Sequence, residues 1–242
     1  MNSPEPHEPE FLPLISPRFV YKVAGVILLL AALALAVSFA GRRLGENLAL
    51  AGHTSSRETY DIFIGQDHLR LPANIIRFEN QRMTRIAERV DLYLTWPALE
   101  GYSDKTRHFF NDVSHPEKLI FLQIAQSTMS RDMSGRLDPI YRHVLEDAPR
   151  PGPAGLMRYD AKSNSGYAGE AFFTATRPGR PDYVLRCLLP ESQAASSSAD
   201  CQRDVHIGKD LAILYRFSAK LLPQWQAIDE SVESFIKARL VP

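Results

Sequence analysis

Hydrophobic positions are spread unevenly along the chain. Residues 23–40 read VAGVILLLAALALAVSFA, eighteen positions with no charge and with Ser38 as the only polar side chain. Phe19, Val20 and Tyr21 extend this run across a single Lys22. Arg18 and Lys22 bound it on one side, Arg42 and Arg43 on the other. A helix rises about 1.5 Å per residue, so roughly twenty such residues cross a hydrocarbon core about 30 Å thick. The pattern predicts a transmembrane helix over residues 19–40, in contact with the lipid bilayer. Two other readings compete. A buried core helix rarely runs this long without polar residues. A cleaved signal peptide would find small-residue sites at Ala34-Leu35-Ala36 and Ser38-Phe39-Ala40. The run exceeds the usual signal core of about 7 to 15 residues, and Glu5, Glu8 and Glu10 stand where positive charge is preferred. An uncleaved anchor is the expectation.

On either side of the anchor the pattern changes. Residues 1–18 hold prolines and glutamates and predict a disordered tail. Residues 41–58 read as a polar connector, and residues 59–242 as one folded domain. YDIFIGQDHLRLPANIIRF predicts two strands about a turn at Gly65-Gln66-Asp67, with Pro72 placing the second at an edge or interrupting it. Met83, Ile86 and Val90 fall at helical spacing, which predicts a helix over 79–90. VDLYLTW and EKLIFLQIAQS predict strands. Residues 134–146 predict a short helix capped by Ser134. GLMRYDA, GEAFFTAT, DYVLRCLL, QRDVHI and DLAILYRFSAKL predict a run of strands. In the last of these, Leu211, Ile213, Tyr215, Phe217, Ala219 and Leu221 share one face and Arg216, Ser218 and Lys220 the other. Pro223 opens a final helix with an apolar stripe of Trp225, Ile228, Val232, Phe235 and Ile236, and with Asp229, Glu230 and Glu233 towards water. The sum is an α+β domain with a mainly antiparallel sheet, covered by a C-terminal helix.

Charge narrows the function. The 242 residues carry 28 Lys+Arg and 28 Asp+Glu. That balance argues against a nucleic-acid partner, whose binding needs a basic field. Basic residues flanking the anchor are nearly tied, so they leave the orientation open. The two cysteines, Cys187 and Cys201, decide it. They stand at the ends of a serine- and alanine-rich loop between two strand-like segments, where pairing is geometrically natural. Two unpaired buried thiols are the alternative. A Cys187–Cys201 disulfide needs an oxidising compartment. With the anchor, it points to a cytoplasmic N-terminus and a periplasmic domain at a bacterial inner membrane. A eukaryotic type II protein would look similar. The only approach to a glycosylation sequon, Asn2-Ser3-Pro4, fails the pattern.

Chemistry is sparse. The sequence holds no nucleophile elbow, no zinc-protease helix motif and no phosphate-binding glycine loop. No catalytic residue, cofactor or metal is expected. His108, Asp112 and His115 could ligate a metal from a loop, but exposed residues before Pro116 explain them as well. Arg82, Arg85 and Arg89 would align on one helical face as an anion or headgroup contact, against a plain solvated face balanced by Glu79 and Glu88. Tyr93, Trp96 and Tyr102 are candidates for a partner surface, against a place in the core. The stretches IFIGQDHLRLPANIIRF and RVDLYLTWPALEGYS resemble those in uncharacterised single-pass membrane-anchored proteins of alphaproteobacteria. That resemblance implies an inner-membrane anchor and no activity. The expected function is a non-enzymatic accessory or scaffold subunit of an envelope complex, with an envelope protein as partner. A periplasmic ligand-binding or sensor domain is the alternative, and an envelope hydrolase a third.

Overall fold

The computed structural model describes residues 17–50 and 52–242. The tail expected over residues 1–18 lies almost wholly outside them. The chain divides into two units, Met1–Ala51 and Gly52–Pro242. In the first, helix α1 runs Pro17–Leu50. Its Tyr21–Ser38 portion is long and apolar enough to cross a membrane, and its side chains there are exposed. The helix extends past the apolar run into the segment read as a connector.

The second unit is α+β. Its strands are β1 Thr59–Ile64, β2 Asp67–Pro72, β3 Arg85–Ile86, β4 Arg89–Thr95, β5 Leu119–Gln126 and β6 Arg150–Pro151. They continue as β7 Met157–Asp160, β8 Ala171–Arg177, β9 Arg180–Cys187, β10 Cys201–Ile207, β11 Leu211–Phe217 and β12 Leu240–Val241. Helices α2 Arg107–Asn111 and α3 Arg142–Val144 are short, whereas α4 Trp225–Lys237 is a full amphipathic helix. Eight strands form an antiparallel sheet in the order β4-β5-β11-β10-β9-β8-β7-β6. Four form a smaller sheet, β12-β2-β1-β3, in which only the β1–β3 pair is parallel.

The strands alternate as their sequences require. Leu211, Ile213, Tyr215 and Phe217 point to the core, and Ala212, Leu214 and Arg216 to the other face. On the core side lie the small sheet, through Ile62, Ile64, Leu69 and Leu71, and α4, through Ile228, Val232 and Ile236. A second apolar cluster on the opposite face packs Met133, Leu137 and Tyr141 on Phe172 and Val184.

Four local expectations are corrected. Residues 79–90 are not a helix: a 3₁₀ turn at Glu79–Gln81 leads into β3 and β4. Met83 and Ile86 are exposed, Val90 is buried in a strand, and their helical spacing is coincidental. Strand β11 ends at Phe217, so Ser218 is buried and its hydroxyl accepts from the Lys220 N–H. Asp229 does not face water but is buried under α4. The segment 134–146 is helical but irregular, with Met133 rather than Ser134 at its start.

The disulfide joins Cys187 to Cys201, which are register partners on β9 and β10 with Cα atoms 4.0 Å apart. The loop between them is well tied rather than loose. The Asp200 carboxylate accepts from the Ser197 N–H at 2.8 Å and the Ala219 N–H at 3.1 Å, and the Leu188 N–H donates to the Asp200 carbonyl at 2.8 Å.

Candidate functional site

Below the disulfide the large sheet opens. Strands β9 and β10 pair at only two positions, Cys187 with Cys201 and Arg186 with Gln202. The carbonyl of Val184 is thereby freed, and the Arg203 side chain takes it at 2.8 Å. Arg203 is 1% exposed, so its charge must be met inside the fold. Its Nε donates to Asp229 Oδ1 at 3.0 Å, and Arg177 donates to Asp229 Oδ2 at 2.7 Å. The Tyr215 hydroxyl donates to the same carboxylate at 2.7 Å. The Arg203 guanidinium also lies 4.6 Å from the centre of the Tyr183 ring. Burial pushes the Tyr215 hydroxyl well above the ordinary tyrosine range. This network braces the opening; Arg203, Tyr215 and Asp229 are buried in it, and Arg177 is its partly exposed member.

Above the opening lies a trough of about 460 Å³ on the face opposite the core. Its floor is the outward phase of three neighbouring strands: Gln123 and Ala125 of β5, Ala212, Leu214 and Arg216 of β11, and Gln202, Asp204 and His206 of β10. Arg186 of β9 extends it, and the segment through Met133, Arg136 and Tyr141 forms a wall. Arg136 pairs with Asp204, and its Nε is buried without an acceptor. Arg186 Nη1 donates to both Glu170 carboxylate oxygens at 3.0 Å. The Arg216 side chain is exposed and makes no hydrogen bond or ion pair among the described residues. The lining thus sets three guanidinium groups against one carboxylate. The Ser127 hydroxyl donates to the Met129 carbonyl at 2.7 Å and lies 2.9 Å from His206 Nε2.

The residues singled out in the sequence lie elsewhere. Arg82, Arg85 and Arg89 share no helical face. Arg82 instead ties backbone, donating to the carbonyls of Ile76, Gly52 and Arg77, while Arg85 reaches the Ile86 carbonyl and Arg89 the Asp91 carboxylate. Tyr93, Trp96 and Tyr102 are buried, which removes them as an exposed partner surface. Two of them use their polar atoms internally: the Tyr93 hydroxyl is 3.0 Å from His53 Nδ1, and Trp96 Nε1 donates to Gln224 at 2.8 Å. Burial raises the Tyr93 hydroxyl to about 12. Asp112 and His115 pair at 2.8 Å on an exposed turn, His108 packs beside Phe109, and no group of three metal-ligating side chains occurs among the described residues. The trough residues were missed because they come from six separate segments. One signal was present: in QRDVHI, Arg203 sits in the apolar phase with Val205 and Ile207, and Gln202, Asp204 and His206 form the polar phase.

No protein-family model matches the chain, and no curated protein matches it. Two solved structures are similar. One is an immunity protein of the Stenotrophomonas maltophilia type IV secretion system, with a TM-score of 0.52 at 16% identity, covering 79% of this chain and 96% of that one. The other is the Neisseria meningitidis iron-regulated outer membrane lipoprotein FrpD, with a TM-score of 0.45 at 12% identity, covering 77% and 94%. The first likeness is one of fold.

Proposed function

We propose that the chain is a membrane-tethered, non-enzymatic accessory or scaffold protein of the cell envelope, whose folded domain holds an envelope protein in the trough. The observation that carries this reading is a sheet face left open beside a wall, in a domain that follows a membrane-length helix. Tethering confines such a domain and raises its effective concentration for neighbours. A fold shared with an immunity protein supports a binding role. The disulfide supports an oxidising compartment, and so a cytoplasmic N-terminus with a periplasmic domain at a bacterial inner membrane. The likeness to alphaproteobacterial anchored proteins belongs to the same proposal.

The test is photo-crosslinking in the native membrane from a reactive amino acid at Leu214, on the trough floor. A reproducible protein adduct, absent when the probe sits at exposed Val113, is expected. Adducts to lipid alone would overturn the reading. A periplasm-dependent reporter fused after Pro242 should be active, and activity from a cytoplasmic reporter instead would reverse the topology.

The Ser127–His206 pair favours a second reading, an envelope hydrolase. It ranks lower on geometry. The Ser127 hydroxyl has the Met129 carbonyl at 2.7 Å and His206 Nε2 at 2.9 Å, so the carbonyl competes with the imidazole for its proton. Among the described residues no carboxylate orients the His206 ring. Ester turnover lost in Ser127→Ala would promote this reading.

A further inference from the structure

We infer that the trough takes an acidic segment of a protein partner, its carboxylates seated on the row formed by Arg186, Gln202 and Arg216. The inference rests on the binding role proposed above and adds the chemistry of the ligand.

The row follows from strand register. Gln202 pairs with Arg186 on β9 and with Arg216 on β11, so the three side chains stand abreast on one face. Strands are about 4.8 Å apart, which sets the two guanidinium-bearing positions roughly 10 Å apart across an amide that can donate and accept. A guanidinium presents a fork matched to a carboxylate. Arg216 has no acidic partner among the described residues, and Asp204, the one carboxylate lining the trough, is already held by Arg136. Glu170 engages Arg186 through one Nη alone. Two of the three guanidinium charges are therefore met, and the positive excess is the single charge of Arg216, while Arg186 keeps donor capacity at Nε and Nη2.

The floor beside the row is mixed: Leu214 stands between Gln123 and Asp204, and Ala212 between Ala125 and His206, where the two alanines leave room for a backbone to approach. The chain as a whole carries 28 basic and 28 acidic residues, so the excess is local. A local excess recessed beside a wall suits a short protruding segment. A bilayer of anionic headgroups would call for a broad, projecting basic surface.

The full chain in detergent micelles is titrated into a fluorescein-labelled decapeptide of alternating glutamate and leucine, and binding is read by fluorescence anisotropy. Saturable binding that weakens with salt is expected, with none for the lysine–leucine counterpart. Arg216→Gln should weaken binding about tenfold, the scale of one charge-assisted contact. Arg216 is exposed and unpaired, so the thermal midpoint should stay unchanged and separate lost contact from lost fold. Lys209→Gln, outside the trough, should bind as the parent does. Equal binding of both peptides, or an unaffected Arg216→Gln, overturns the inference. So does preferential capture of phosphatidylglycerol vesicles that Arg216→Gln abolishes. A partner crosslinked from Leu214 that persists in Arg216→Gln sinks the acidic-ligand chemistry while leaving the binding role intact. Adducts to lipid alone sink the role itself.

Discussion

Asp67 and Asp210 each close the hairpin turn that the other precedes or follows. The Asp67 carboxylate accepts from the backbone N–H groups of Lys209 and Asp210, both at 2.9 Å to Oδ2. The Asp210 carboxylate accepts from the Gln66 N–H at 3.0 Å and from the Gln126 side chain at 2.7 Å. The β1–β2 turn of the small sheet is thus locked to the β10–β11 turn of the large one. Gly65 and Gly208 sit at φ 57° and 74°, and a Cβ on either would strike the opposing carboxylate. Asp67→Ala should lower the unfolding free energy by about 2 kcal/mol, since Asp67 is buried and loses charged acceptor bonds. Gly208→Ala should cost more, because it adds backbone strain to the clash. The double variant should cost less than the sum, because removing Asp67 clears the clash. Urea denaturation of the three variants checks this order.

The Arg203–Asp229 pair yields a second expectation. Their side chains are 1% and 3% exposed, so Asp229→Asn strands two guanidinium groups beside a neutral amide. A loss of about 3 to 5 kcal/mol is expected. Unfolding midpoints report it, and a loss below about 1 kcal/mol would mean that the site admits water.

Removing both cysteines should lower stability by about 3 kcal/mol in the chain-entropy account, for a sequence separation of 14. Intact-mass measurement after alkylation without reductant should find no modified thiol in protein from its native compartment.

Stability should fall in two stages as pH drops. Burial, opposed by the Asn111 contact and aided by Arg82 and Arg77, holds His53 below its ordinary 6.5. The unfolded chain then binds more protons just below pH 6.5, so native stability declines there on acidification. Asp210, lowered from 3.8 mainly by the Gln66 N–H, and Asp61, lowered mainly by the His68 hydrogen bond, contribute stability above that value. Their contribution is lost as pH falls through their folded values. His53→Gln should flatten the first stage and leave the second. Unfolding free energies measured across this range test both.

The fold was largely legible because strand alternation and the stripe of α4 are local signals. Cys187 and Cys201 could be paired from the strand-like segments around their loop. What escaped needed tertiary knowledge. Met83, Ile86 and Val90 imitate a helix by spacing, and only the pairing of Phe63 with Ile86 shows that this segment is a strand beside β1. Asp229 reads as a surface acid on α4 until Arg203, 26 positions away, is found beneath it. The trough could not be read at all, since Arg136, Arg186 and Arg216 meet only when the sheet order β11-β10-β9 is known.

The Cys187–Cys201 bond also turns the loop it encloses into a cuttable handle. A protease that severs the backbone anywhere between the two cysteines leaves two polypeptides still fastened side by side on β9 and β10. Such nicked protein would migrate as one species on a gel until reductant is added, and then separate into two. Since Asp200 and its serine partners tie the loop down, the cut should come slowly, and its rate would report how firmly that clasp holds in the folded protein.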